Sequence, residues 1–449
     1  MKSIVKFTLF SAAVLFAIAC TSAPKTDSNY EAFNRYFTDS TLRIDFWHSG
    51  NDTSENFAIA KYINDGPWAG RTAHLLDKWE LGLYFIKVID QQSGEVIYSQ
   101  GYNSVFGEWQ TTAEAQKSTQ KFMEAFRIPW PKGNVTVQLE KRDANNNLQP
   151  IWNFNIDAKS IVAEKRFTDN RAKFTKVMDN GDPKCKADIV IVGDGYTAND
   201  TAVFNNDVKT FVDAFFGTEP FLSRKSDFNV WSVFAPSPKE GINLQEADYH
   251  PENILGTSFY TFGIERYVLS NNEWTVKDYA SVAPYDFLVI LMNTNKYGGG
   301  GIFNLYITAA AHSPHNQYVM VHEMGHHIAG LADEYYTSDV AYAPANTKVE
   351  PWEFNVTALL NPDSLKWADL VAPGTPIPTP WQKDEYEKGN TSVLHDSTLV
   401  GKVGAYEGGN YLSKGMYRPE VNCIMFSKNK RFCKVCTRGI NRVIDLYVN

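Results

Sequence analysis

Cysteine is scarce in this chain, five residues in 449, which excludes a small scaffold stapled together by disulfides. Cys433 and Cys436 form a lone CxxC, so no second pair completes a four-thiolate metal site. Long hydrophobic runs are missing as well. The apolar stretch 7–19 falls short of the roughly 20 residues that cross a bilayer as a helix, and no other stretch does better. Positive charge is in deficit: 43 Lys and Arg stand against 51 Asp and Glu, a net charge of −8. That balance argues against nucleic acid or anionic lipid as a partner, because neither would be attracted. Phosphate-binding glycine patterns are absent too. Gly193-Asp194-Gly195 follows a strand-like run but lacks both GxGxxG and the P-loop lysine. What is plentiful is core material, with 43% hydrophobic and 14% aromatic residues. At this length two domains are expected.

Lys2 and Lys6 precede the apolar stretch, and Ala17 and Ala19 lead directly to Cys20. A charged start, a short hydrophobic core and small residues before a cut site describe an export signal. Cysteine in that place resembles a lipoprotein signal. Residues 1–19 would then be removed, Cys20 lipidated, and residues 20–28 left as a tether to an envelope membrane, the outer membrane of a Gram-negative bacterium being the natural one. The plainer alternative is a secretory signal with an incidental cysteine.

Residues 29–157 read as β-rich, with alternating runs such as Thr41-Leu42-Arg43-Ile44-Asp45-Phe46 separated by turn residues. A small β-sandwich carrying one amphipathic helix over 112–126 is expected. Its His48 and His74 stand alone and read as ordinary polar residues, leaving this domain to space the rest from the membrane or to help present a substrate. Residues 158–449 begin differently. A strand at 188–192, a tight turn, a helix at 203–216 and a second strand at 287–292 give an α/β layer arrangement. Across both domains the fold class is α+β/α/β. Tyr297-Gly298-Gly299-Gly300-Gly301 carries so little side-chain bulk that a peptide backbone could approach Gly298, Gly299 and Gly300 closely. It reads equally as a substrate-binding edge strand or a flexible loop. Residues 371–380, with four prolines, are a rigid surface loop or cleft rim.

The chemistry concentrates in His322-Glu323-Met324-Gly325-His326-His327-Ile328-Ala329-Gly330-Leu331-Ala332-Asp333-Glu334-Tyr335. Residues four apart share a helix face, so His322 and His326 can grip one metal ion from the same side. Glu323 is placed to hold and deprotonate an attacking water. Zinc requires a third protein ligand and an open fourth position. Gly330 can end the helix in a left-handed turn, and the chain then delivers Asp333 and Glu334. Asp333, with the shorter side chain, is the first choice as ligand, and Glu334 takes a supporting role. His327 has the wrong helical phase to join the pair. His250, His312, His315 and His395 are possible cleft residues but read as non-ligands.

A bare HExxH also arises by chance in ordinary amphipathic helices, and Val319, Met320 and Val321 before it would suit a core helix. Further along, Tyr417-Arg418-Pro419 precedes Cys423-Ile424-Met425. Met425 could simply fill a core gap. Alternatively its adaptable thioether forms a floor under the histidines, a methionine turn of the kind that marks metzincins. Tyr417 is a candidate to stabilise a developing oxyanion. The remaining thiols, Cys185, Cys423, Cys433 and Cys436, allow three disulfide pairings or none.

Taken in order, the segment from Asp188 to Thr197, Phe228-Asn229-Val230-Trp231, the glycine run, the histidine stretch, Lys366-Trp367 and the Met425 segment resemble the bacterial immunoglobulin A peptidase family. Those proteins are secreted zinc metallopeptidases similar to metzincins. The spacing to Asp333 is one residue longer than the usual HExxHxxGxxH or HExxHxxGxxD. The resemblance implies a metzincin-like zinc peptidase domain behind an N-terminal domain, a protein or peptide substrate and immunoglobulin A as one target. The competing reading is a non-catalytic surface lipoprotein that binds host or dietary protein or glycan, and an intact Glu323 argues against it. A zinc hydrolase acting on something other than peptides is a third.

Overall fold

A computed structural model describes residues 28–244, 248–337 and 345–448; the signal segment and Cys20 lie outside the described residues. After α1 (Ser28–Tyr36), the strands β1 (Phe37–Gly50) and β2 (Glu55–Asn64) pair antiparallel. A second hairpin, β3 (Tyr84–Asp90) and β4 (Val96–Tyr102), is followed by the short helix α2 (Val105–Trp109). The strands β5 (Gln120–Pro131), β6 (Val135–Arg142), β7 (Leu148–Ile156) and the two-residue β8 (Glu164–Lys165) come next. They assemble as two four-stranded sheets, β5-β1-β2-β8 and β4-β3-β6-β7. Alternate residues of each, Leu42, Ile44 and Phe46 from one and Ile86, Val88, Val137 and Leu139 from the other, meet in one core, as the two-residue period of a strand requires.

The helix expected over 112–126 does not form. Residues up to 118 make turns, and residues from 120 belong to β5. Phe122 and Phe126 are four apart, a spacing that suits a helix face but also repeats on a strand face, and the long register against β1, from Gly50–Gln120 to Phe37–Pro131, decides the outcome. The helices of this domain are α1 and the short α2 instead.

The second half is built on a six-stranded mixed sheet. Its strands in chain order are β9 (Lys173–Met178), β10 (Ala187–Asp194), β11 (Phe228–Phe234), then, beyond the small hairpin of β12 (Thr257–Ser258) and β13 (Leu269–Ser270), β14 (Phe287–Met292), β15 (Gly299–Ile302) and β16 (Tyr306–Ala310). The sheet order is β15-β16-β14-β10-β11-β9, parallel in the middle and antiparallel at both edges. The middle strands are buried along their whole length, which is why they read as continuous apolar runs. Their faces separate cleanly: Ile189, Ile191, Phe287, Val289 and Leu291 enter one core, and Val190, Val192, Leu288, Ile290 and Met292 enter the other.

α3 (Thr201–Phe215), α5 (Asn316–Ala329) and α7 (Lys434–Tyr447) send residues into the first core, and α4 (Glu273–Ala280) into the second. The one-turn α6 (Lys383–Glu387) and the hairpin of β17 (Tyr406–Gly409) and β18 (Leu412–Arg418) complete the chain. Residues 371–380 carry neither helix nor strand. The molecule is thus a mixed α/β fold with a β-rich domain ahead of it. The two halves are docked on each other: Arg43 reaches Asp278 at 2.6 Å, the Ala125 amide donates to Glu273, and the Asn103 amide donates to the Phe303 carbonyl.

Candidate metal centre and its cleft

α5 is held against the sheet by its apolar residues Val319, Met320, Met324 and Ile328. His327 shares that inward side. Its Nδ1 faces the Ile302 carbonyl and its Nε2 accepts from the Leu288 amide, and burial drives its pKa down to about 3. It is a neutral strut between helix and sheet. His322 and His326 point the other way, with their Nε2 atoms 3.1 Å apart.

Gly330 ends α5 with φ +55°, its amide donating to the His326 carbonyl, and a Cβ there would lie 2.6 Å from the Trp352 ring. Glycine is required on both counts. The returning segment is clamped on three sides. Asn355 bonds both the amide and the carbonyl of Ala332, the Asn410 amide donates to the Asp333 carbonyl, and the Glu334 amide donates to the Met425 carbonyl. This brings Asp333 Oδ1 to 3.0 Å from His322 Nε2 and 3.3 Å from His326 Nε2. Donors about 2.0–2.1 Å from a tetrahedral zinc would stand ~3.3 Å from one another. Asp333 Oδ1 is buried and accepts no well-formed hydrogen bond, so it fits a ligand oxygen better than a hydrogen-bond acceptor. Its second oxygen accepts from the Tyr411 hydroxyl.

The far nitrogens of both rings are fixed. His322 Nδ1 lies 3.0 Å from the Ile424 carbonyl and His326 Nδ1 lies 2.5 Å from the Leu331 carbonyl, which leaves each Nε2 free for an ion. Burial would lower both imidazole pKa values, but Asp333 more than offsets it and lifts His326 to about 9. Asp333 answers in kind: burial opposes its charge, yet the two rings hold its carboxyl well below the usual range. Burial raises the Glu323 carboxyl, with His322 opposing, which suits a group that must take up a proton.

Below the site, residues 424–426 form a tight turn, with the Phe426 amide donating to the Cys423 carbonyl. Met425 is fully buried, and a Cβ on Gly325 would lie 2.9 Å from its sulfur. Above it, the glycine run forms β15, a terminal strand in the sheet order, rather than a loop. Gly299 exchanges backbone bonds with Arg266 and Val268 on its outer side, and a Cβ on Gly301 would meet the Glu323 carbonyl at 2.6 Å and its carboxylate at 2.9 Å. A cavity of about 250 Å³ runs past Gly299, Gly300, Gly301, His322, Glu323 and Asp333.

Two expected residues are displaced. Gly298 is not on the cavity wall; a Cβ there would strike Phe259 and the Arg266 carbonyl, and Gly301 takes its place. Tyr417 is not on the wall either: it pairs with Glu407 inside the β17–β18 hairpin and bonds Thr357 through its backbone. The hairpin turns through Asn410 and Tyr411, both at positive φ, and swings Tyr411 into the cavity instead. His312 pairs with Asp207, His250 lies beside Asp248, and His315 occupies the N-cap position of α5 without a side-chain capping bond, while His395 sits in a short 3-10 turn. None of the four lines this cavity.

Nothing in the sequence pointed to the first domain's share of the wall. Asn103 and Glu108 both line it, and Glu108 accepts a 2.5 Å bond from Tyr267 while burial lifts its carboxyl to about 7. His48 has no such role. It lies buried between Glu124 and Glu55, stacked on Phe106.

Two imidazoles and a carboxylate converging beside a second, raised carboxylate at the edge of a sheet are the equipment of a metal-assisted hydrolase. Family comparison narrows this class: residues 175–394 and 387–444 match the family described as IgA Peptidase M64, and residues 32–153 match Peptidase M64 N-terminus. The chain belongs to the IgA peptidase M64 family, whose members are metallopeptidases. No curated protein matches it.

Proposed function

We propose that the chain is a zinc-dependent endopeptidase anchored at the cell envelope through a lipid on Cys20. His322, His326 and Asp333 hold the ion, and Glu323 is the general base. The observation that carries this reading is the 3.0–3.3 Å triangle of donor atoms with Glu323 on the same helix and an open cavity above it. Bound zinc supplies Lewis acidity, activating water at neutral pH and polarising the scissile carbonyl. Glu323 accepts the proton of the attacking water and passes it to the leaving amine. Tyr411, through Asp333, keeps the third ligand oriented, and the Met425 turn supports the histidines from below in a metzincin-like manner. The substrate is an extended protein segment lying along Gly300 and Gly301, immunoglobulin A among the targets to try.

The test is cleavage of unstructured protein substrates and of immunoglobulin A by the purified chain. Cleavage should stop on chelation and return with zinc, and Glu323→Ala should abolish it while the metal stays bound. Unchanged cleavage by Glu323→Ala would remove this reading.

A further inference from the structure

Behind Asp333 lies a second group of donors that the reaction does not use. Glu334, Cys423, Cys433 and Cys436 are all fully buried, and their donor atoms lie within 4.8 Å of one another. Cys423 Sγ and Cys436 Sγ are 3.8 Å apart, and Glu334 Oε1 is 3.2 Å from Cys436 Sγ and 3.9 Å from Cys433 Sγ. Thiolates about 2.3 Å from a tetrahedral zinc would stand ~3.8 Å from each other and ~3.5 Å from a carboxylate oxygen on the same ion. We propose that these four residues form a second, structural zinc site of three thiolates and one carboxylate.

Three further observations agree. Two of the sulfurs act as acceptors, Cys423 from the Cys433 amide at 3.2 Å and Cys433 from the Cys436 amide at 3.3 Å, as thiolates bound to a metal do. Glu334 Oε1 accepts from the Asn355 side-chain amide at 3.1 Å, but its Oε2 is buried with no hydrogen-bond partner among the described residues, a costly arrangement for an ionised carboxylate without a cation. Positive potential is at hand to balance the excess negative charge: Cys433 caps the N-terminus of α7, and the buried Arg418 guanidinium lies within electrostatic range of Glu334. The lone CxxC thus finds its other two ligands in Cys423, on the Met425 turn, and in Glu334, next to Asp333. The ion would tie α7 to both the third-ligand arm and the floor of the cleft.

Two measurements on the reduced, purified chain test this. Zinc content should be about two per chain, falling to about one in Cys436→Ser and to about one in His326→Ala, each variant losing a different ion. Cobalt(II) loaded into the wild type should give the near-ultraviolet thiolate-to-metal absorption that a site of two imidazoles and a carboxylate does not produce, and this readout needs no variant to fold. One zinc in the wild type, kept by Cys436→Ser and lost by His326→Ala, overturns the sulfur site and leaves the peptidase centre standing. One zinc with the opposite pattern removes the peptidase centre instead. Absence of the thiolate band, or a thiol titration of the chain purified without reductant showing Cys423 joined to Cys433 or Cys436 in a disulfide, also overturns the proposal.

Discussion

Asp333 and Glu334 are neighbours in the chain, yet they serve different surroundings. Asp333 faces two imidazoles at the bottom of an open cavity, where the donor set is short by one position. Glu334 faces three thiols in a sealed core, with a full set of four donors. An ion that must take part in a reaction needs a position left for water or substrate, whereas one that only holds a fold is better with none. Under the two proposals, the same short segment, clamped by Asn355 and the Met425 carbonyl, carries one carboxylate toward chemistry and the next toward stability.

The contrast breaks most sharply at Glu323. Glu323→Ala should lower turnover by about 10²–10⁴-fold, the usual span for loss of a general base, with metal content and unfolding midpoint close to wild type. Glu334→Ala should do the reverse. It strands Asn355 and the thiols, costing roughly 1–3 kcal/mol for the buried groups left unpaired, while any cleavage lost should follow the fraction unfolded. Urea unfolding read beside activity separates the two. If Glu334→Ala abolished turnover in a fully folded chain, the division of labour between the neighbours would be wrong.

The open centre was legible in the sequence because most of it is local. One helix fixes His322, Glu323 and His326, and one glycine turn fixes the return to Asp333. The sealed cluster was not, because Glu334 stands 99 residues before Cys433 and 102 before Cys436, and nothing local ties it to the three cysteines. Tyr411 and Tyr417 illustrate the same limit. Both lie near the floor turn in sequence, and the path of a hairpin decides which one enters the cavity. The central strands of the second domain were readable as continuous apolar runs. The segment 112–126 was not, because a spacing of four satisfies two periods and pairing with a distant strand chose between them. Glu108 gave no signal at all, since nothing in a β-rich stretch marks the one residue that domain docking will place in a cleft.

Gly301 sharpens the comparison from the substrate side. A Cβ at that position would fall 2.6 Å from the Glu323 carbonyl, so Gly301→Ala must shift either β15 or α5. Overpacking of this kind typically costs about 1–3 kcal/mol. The expected result is a drop in kcat of roughly tenfold or more with metal content unchanged from wild type. Kinetics near wild type would mean that the strand edge moves freely and does not position Glu323.

Glu108 supplies the smallest and most specific test, because the open cleft has a carboxylate contributed by the first domain and the sealed cluster has none. Burial lifts its carboxyl to about 7 from an ordinary value of 4.5. Below pH 4.5 it is protonated whether the chain is folded or not, and it adds no pH dependence. As pH rises from there to about 7 the unfolded chain gives up the proton first, so the folded state loses stability across that window. Above it the penalty is constant. Glu108→Gln removes the ionisation, so its stability relative to wild type should improve between pH 5 and pH 8, by about 1 kcal/mol once partial solvent screening at the cleft is allowed for. Urea unfolding of both forms in chelator at the two pH values measures it. A parallel pH response would show that Glu108 ionises as an exposed glutamate does, and the first domain would then reach the cleft only as a wall.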